Sequence, residues 1–116
     1  MIKLKRVYEK ADRADGKRIL IDRLWPRGVR KEEAHVDEWL KEIAPSDELR
    51  TWYGHKVERW KEFRARYQSE LRKPLAANLL KKIRQEAKRQ TITLLFATKD
   101  SEHTNAAVLK ELLEKE

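Results

Sequence analysis

The chain has 116 residues, a length typical of one domain, and carries a formal net charge of +8 at pH 7. Charged residues make up 41% of it, but 40% hydrophobic residues and four tryptophans can build a core, which excludes disorder as the main state. The absence of cysteine excludes disulfides and thiolate nucleophiles. No apolar run is long enough to span a membrane and no signal-peptide pattern opens the chain, so we expect one cytoplasmic domain over residues 1–116, without membrane contact.

Three segments have the hydrophobic pattern of β-strands. Residues 2–8 begin with alternating apolar and basic side chains, which is typical of a strand with one buried side. Residues 18–24 and 91–97 each contain an unbroken apolar run, which is typical of central strands buried on both faces. Pro26 and Gly28 follow the second segment and predict that the chain turns there.

Helical patterns fill most of the remaining chain. The apolar spacing within residues 36–43 predicts a short amphipathic helix that Pro45 closes. Four further helices are predicted, from a cap at Ser46 to Gly54, over 57–72, over 75–88 after Pro74, and over 104–114. Strands that bracket helices predict a small α/β domain with an at least partly parallel three-stranded sheet and about five helices.

Polar side chains follow both buried strands, where open α/β sheets bind ligands beside helix N-termini. If the two strands are parallel neighbours, their ends converge. Arginine forks bind phosphate or carboxylate in bidentate fashion and lysine adds a point charge, so we expect a small anionic ligand here, a nucleotide being one option. The predicted ligand-binding residues are Arg23, Trp25, Arg27, Lys99, Thr104 and Asn105.

The same segments contain candidates for acid–base chemistry. Asp22 and Asp100 are carboxylates in cationic surroundings, and the imidazole of His103 can serve as an acid or a base, so these three are the candidate catalytic residues. The alternative is a scaffold role in which Asp22 pairs with a neighbouring arginine and Trp25 only packs. The sequence leaves open whether the protein is an enzyme.

Several kinds of site are not expected. Three glycines form neither a dinucleotide-binding fingerprint, nor a phosphate-binding loop, nor a hydrolase nucleophile elbow. The three histidines, His35, His55 and His103, lie far apart and form no pair that would share one helical face. We therefore expect no cofactor and no metal.

A basic surface suggests a second function. Residues 56–90 carry as large a net positive charge as the whole chain. Within them, Lys81, Arg84 and Lys88 would form a ridge opposite the apolar side of a predicted helix, and such a ridge can follow a phosphate backbone. The alternative function is therefore a nucleic-acid-binding module. An interaction protein without chemistry is a third class, which would require an exposed apolar patch.

Four strings together resemble the YeaO-like family of short prokaryotic proteins, classed under domain of unknown function 488. These strings are residues 19–28 with Asp-Arg-Leu-Trp-Pro-Arg-Gly, 39–46, 48–50 and 93–100. The resemblance implies a small α/β sheet surrounded by helices, and it implies no reaction. Family members commonly have Asn-His-Ala at the start of the last helix where this chain has Thr104-Asn105-Ala106, and longer relatives have a cysteine nearby. Neither that histidine nor a thiol mechanism carries over.

Overall fold

The structure is a computed structural model that describes residues 1–115. In that range the chain forms one four-stranded sheet and five α-helices. The strands are β1 (Ile2–Arg6), β2 (Lys17–Leu20), β3 (Glu38–Trp39) and β4 (Ile92–Phe96), and the helices are α1 (Lys31–Ala34), α2 (Asp47–Tyr53), α3 (Trp60–Glu70), α4 (Pro74–Ala87) and α5 (Asn105–Glu114). The order of the strands is β1-β4-β2-β3, and all neighbours are parallel. The predicted α/β class and the parallel pairing of the two buried strands are confirmed.

The prediction of three strands is wrong, because a fourth strand replaces the helix expected over residues 36–43. Backbone pairing with β2 draws this segment into the sheet, where Asp37 N–H donates to the Arg18 carbonyl at 2.8 Å and Leu40 N–H to the Leu20 carbonyl at 2.9 Å. Only a 3₁₀ turn over Lys41–Ile43 remains helical. Tertiary pairing therefore overrides the local helical spacing.

The two faces of the sheet are covered differently. Ile19, Ile21 and Leu94 belong to the main core, which includes apolar side chains of α2, α3, α4 and α5. On the opposite face, Leu20 and Leu95 pack under the segment between β2 and β3, with partly buried Trp25, Val29, Val36 and Trp39 above them. Both central strands are thus buried on both sides, as their unbroken apolar runs predict.

Local signals place the helix ends that matter for the site. The Ser46 hydroxyl accepts a hydrogen bond from Leu49 N–H at 3.1 Å and caps α2, which ends at Gly54 in the left-handed region with φ 52°. Pro74 occupies the first turn of α4, and Thr104 is the N-cap residue of α5.

In the described part of the chain, no helix combines the length and the apolar character that a membrane span requires.

The register of β2 against β4 determines which side chains meet beyond the strand ends. Leu20 lies opposite Leu95, and Ile21 N–H continues the ladder by donating to the Leu95 carbonyl at 3.1 Å. The next step brings Asp22 beside Ala97. Because parallel strands end at the same edge of a sheet, the polar segments after β2 and β4 converge as predicted.

Candidate functional site

A cavity of about 510 Å³ lies at the carboxyl ends of β2 and β4. Its walls come from the ends of the two strands, from the second half of α2 and the residues that follow it, and from the N-terminus of α5. The polar lining residues are Asp22, Arg50, Thr51, His55, Thr98, His103, Thr104 and Asn105. Leu24, Pro45, Tyr53 and Phe63 supply most of the apolar wall. The volume falls within the range of small-molecule sites.

Asp22 is held by neutral donors. One carboxylate oxygen accepts the Ala97 N–H at 2.9 Å, and the other accepts the Asn105 side-chain amide at 3.1 Å. Burial raises the pKa of Asp22 above the usual aspartate value, although the two hydrogen bonds and the field of His55 act in the opposite direction. Each oxygen keeps a further lone pair, so Asp22 can still accept a hydrogen bond from a ligand.

Asn105 connects the end of β2 to the start of α5. Its amide nitrogen donates to the Ile21 carbonyl at 3.0 Å as well as to Asp22, and its amide oxygen accepts the Thr104 hydroxyl at 2.8 Å. The Thr104 side chain is therefore turned toward Asn105 and makes no cap hydrogen bond to α5. Without that side-chain cap, the first N–H groups of a ten-residue helix start at the cavity wall, where they favour negative charge.

His103 is oriented by three contacts. Its Nδ1 lies 2.9 Å from a carboxylate oxygen of Asp100, its carbonyl accepts the Tyr53 hydroxyl at 2.9 Å, and its ring meets Trp60 edge-on with centroids 5.4 Å apart. The hydrogen bonds from the side chain and backbone of His103 lower the pKa of Asp100. Asp100 thus engages one ring nitrogen of His103, which leaves Nε2 for other contacts.

Two basic lining residues, Arg50 and His55, were absent from the predicted site residues. Arg50 lies on α2 and makes an exposed contact of 3.4 Å with Asp47, and His55 follows the helix in the left-handed region with φ 57°. The sequence of α2 carries no signal that separates Arg50 from any other surface arginine. Only the packing of α2 beside the strand ends brings it to the cavity.

The structure brings four of the predicted site residues to the cavity wall, namely Asp22, His103, Thr104 and Asn105. The guanidinium of Arg23 instead donates to the carbonyls of Pro45 at 2.9 Å and Ala44 at 3.4 Å, tying the end of β2 to the segment before α2.

The other predicted ligand-binding residues lie outside the lining. Trp25 donates its indole N–H to the Val29 carbonyl at 2.7 Å and packs edge-on against Trp39. Arg27 and Lys99 are exposed. Their roles in ligand binding stay predictions.

The basic ridge of α4 is only partly exposed. Lys81 and Lys88 face solvent, whereas Arg84 is half-buried and donates to the Leu112 carbonyl of α5 at 3.1 Å. The expectation that all three lie opposite the apolar side therefore fails for Arg84, because α5 packs on that flank of α4. Among residues 1–115, no group of three or more histidine, aspartate or glutamate side chains is placed to hold a metal ion.

Comparisons with known proteins identify relatives along the whole chain. A family model described as the inactive DUF488-N3 subclade matches residues 1–116. The uncharacterised protein YeaO of Escherichia coli (strain K12) is 43% identical over 112 residues, which cover 97% of this chain and 96% of that protein. Uncharacterised proteins of Mycobacterium tuberculosis (strain H37Rv) and Mycobacterium bovis are 45% identical over 112 residues, covering 97% of this chain and 92% of theirs. No solved structure matches the chain. The resemblance to the YeaO-like family is confirmed.

Proposed function

Because the chain belongs to the inactive DUF488-N3 subclade, we propose that it binds a small anionic molecule at the carboxyl ends of β2 and β4 and catalyses no reaction on it. The observation that carries this proposal is the cavity of about 510 Å³ beside the α5 N-terminus, whose first turn has no side-chain cap from Thr104. Membership of an inactive subclade favours binding over catalysis by Asp22, Asp100 and His103.

The anionic group of the ligand lies against the N-terminus of α5. The N–H groups of Ala107 and Val108 already donate to the Thr104 carbonyl, so the donors for phosphate or carboxylate oxygens are the N–H groups that precede them, those of Asn105 and Ala106. The helix dipole adds a partial positive charge. Arg50, an exposed residue of the cavity lining, supplies a guanidinium, and His55 becomes a second cation when protonated. These groups favour a phosphate or carboxylate over a neutral group.

Asp22 selects for a second feature of the ligand. A free carboxylate here repels an anion, but it accepts a hydrogen bond from an N–H group on the same ligand. A molecule with an anionic end and an N–H-bearing planar end satisfies both requirements, and the rings of Tyr53 and Phe63 provide an apolar wall for the planar end. A nucleoside monophosphate has this combination and a size that suits the cavity.

Arg23, Arg27 and Lys99 form an outer set of cations in this proposal. Arg27 and Lys99 are exposed beyond the strand ends, where long side chains can reach a charged group at the cavity mouth. Arg23 contributes through its hydrogen bonds to the Pro45 and Ala44 carbonyls, which hold one wall in place. Their effect on binding is expected to be smaller than that of Arg50.

Thermal unfolding with added ligand tests the proposal. Adenosine, guanosine, cytidine and uridine 5′-monophosphates and inorganic phosphate are titrated separately, because a ligand that binds only the folded state raises the melting temperature. We expect at least one nucleoside monophosphate to raise it more than phosphate does. Arg50→Ala removes the shift, and Asp22→Asn reduces the advantage of the nucleotide over phosphate.

Arg13→Ala is the matched control, because Arg13 is an exposed arginine that precedes β2 and lies at the other end of the sheet. This variant is expected to keep the full ligand-induced shift. If none of the five compounds shifts the parent protein, or if Arg50→Ala and Arg13→Ala respond equally, the proposal is wrong.

Nucleic-acid binding through α4 is the second candidate function. Among residues 1–115, Lys81, Lys82 and Lys88 are exposed and take part in no salt bridge, so their charges are available to a phosphate backbone. Such binding weakens steeply as salt rises because counterions are released. Retention of the parent on a DNA column at low salt, lost in the Lys81→Glu, Lys88→Glu double variant, supports this function, and absence of retention rules it out.

A further inference from the structure

A second cavity, remote from the strand ends, lies between helices α3, α4 and α5. This groove, of about 400 Å³, has three cationic side chains in its lining, Arg72, Arg84 and Lys115. Among residues 1–115, no carboxylate lines it. Its lining therefore combines positive charge with apolar side chains, which come from α4, from α5 and from Leu71, the residue that follows α3.

Arg84 is the central feature of the groove. Its guanidinium is anchored by a hydrogen bond of 3.1 Å to the Leu112 carbonyl, in the last turn of α5. Its Nε is shielded from solvent and is without a hydrogen-bond partner in the described part of the chain. Among residues 1–115 this half-buried guanidinium has no ion-pair partner, and a partly desolvated charge interacts more strongly with an anion than a fully hydrated charge does.

The apolar side chains of the groove indicate which kind of anionic ligand it can bind. Leu71 and Leu80 are buried at the groove, and Leu112 is half-buried beside them. An inorganic anion alone would leave the accessible part of this lining, mainly the half-buried Leu112, in contact with water, and a hydrocarbon alone would leave the guanidinium without a counter-charge. A ligand that carries both parts satisfies both surfaces.

We propose that the groove between α3, α4 and α5 binds an amphiphilic monoanion, an aliphatic carboxylate of medium chain length. The carboxylate lies among Arg72, Arg84 and Lys115, and the alkyl chain packs on Leu71, Leu80 and Leu112. This site is independent of the strand-end cavity, which has an aspartate in its wall. A nucleic-acid phosphate backbone is the competing occupant of the same cations.

Octanoate and 1-octanol, which share an alkyl chain, are titrated into the ¹⁵N,¹³C-labelled parent protein. We expect octanoate to shift the methyl resonances of Leu80 and Leu112 without shifting the amide of Ala97, and to bind at least tenfold more tightly than octanol. Arg84→Met keeps most of the side-chain volume and is expected to weaken octanoate at least tenfold while leaving octanol unchanged.

A second variant tests the site even if Arg84→Met fails to fold. The Arg72→Ala, Lys115→Ala double variant changes only exposed side chains and is expected to weaken octanoate several-fold, whereas Lys82→Ala and Arg50→Ala leave it unchanged. Equal binding of octanoate and octanol, shifts confined to the strand-end cavity, or displacement of octanoate by a short DNA duplex with no preference for the alkyl chain overturns the proposal.

Discussion

Two carboxylates flank strand β2, and their environments are opposite. Asp15 lies before the strand and is buried with Arg18 at 2.5 Å and Lys5 at 3.1 Å. Burial alone would raise the pKa of Asp15, but hydrogen bonds from the Asp12 backbone, Lys5 and Arg18 outweigh it and lower the pKa. Asp22 lies after the strand, and its donors are the neutral amides of Ala97 and Asn105, so burial dominates and raises the pKa.

The comparison separates a carboxylate that stabilises the fold from one that belongs to the proposed ligand site at the other end of the same strand. Asp15 and Arg18 neutralise each other, and the guanidinium of Arg18 also donates to the carbonyls of His35 and Ala34 at 3.0 and 2.9 Å. Nothing in that cluster is left for a ligand. Asp22 keeps free lone pairs and forms no salt bridge with any of residues 1–115, so in the proposed site its carboxylate can accept a hydrogen bond from a ligand.

The largest effect is expected for Arg18→Ala. The substitution leaves Lys5 as the remaining salt-bridge partner of the buried Asp15 and removes the donors to the His35 and Ala34 carbonyls. The free energy of unfolding should therefore fall by about 3–5 kcal/mol. Urea denaturation measures it, with Arg13→Ala as the exposed control. A loss within 1 kcal/mol would show that the Asp15 cluster is not the stabilising end of β2.

A smaller loss is expected for Asp22→Ala. The change removes the acceptor of the Ala97 N–H and one of the two acceptors of the Asn105 amide, which keeps its hydrogen bond to the Ile21 carbonyl. A fully buried donor without an acceptor costs about 1–3 kcal/mol, and here the cost is reduced by partial exposure and by removal of a half-buried charge. The net loss in urea should therefore be below that of Arg18→Ala. A larger loss for Asp22→Ala than for Arg18→Ala would contradict the conclusion that the Asp15 end of β2 contributes more to stability than the Asp22 end.

Lys5→Met tests how much the second cationic partner of Asp15 contributes to stability. The Lys5 amine is partly exposed and shares the carboxylate with a better-buried guanidinium, so its removal should cost about 0.5–1 kcal/mol. Equilibrium unfolding of Lys5→Met, Arg18→Ala and the double variant forms a cycle. A cost for Lys5→Met equal to that for Arg18→Ala would mean that the two cations are equivalent.

The smallest expected effects are changes in the free energy of unfolding with pH. Because the folded-state pKa of Asp15 is lowered, its stabilising contribution is present above its ordinary pKa and is lost as the pH falls toward the lowered value. The pKa of Asp22 is raised, so its contribution is greatest below the ordinary value and diminishes as the pH rises through the raised one.

Unfolding of the parent, Asp15→Asn and Asp22→Asn between pH 3 and 7 tests both signs. The cost of Asp15→Asn should shrink as the pH falls, and the cost of Asp22→Asn should grow. Slopes of the same sign for the two variants would contradict the opposed environments.

Much of the site was predictable from local patterns. The apolar run before Asp22 marked a doubly buried strand, and parallel pairing then placed Asp22 near the start of the last helix. Thr104 and Asn105 followed from the same topological rule. The individual contacts did not follow, because the direction of a long side chain such as Arg23 depends on which carbonyls lie within reach after packing.

What the sequence by itself determined is the α/β class, the two buried strands and the helix ends at Ser46, Gly54 and Pro74, because these depend on periodicity and on backbone preferences within a few residues. Only the tertiary structure decided that residues 38–39 form a strand, that Arg50 reaches the strand-end cavity and that Arg84 lies in a groove. Each of these depends on contacts between segments distant in the chain, where the free energy of burial and backbone pairing exceeds local propensity.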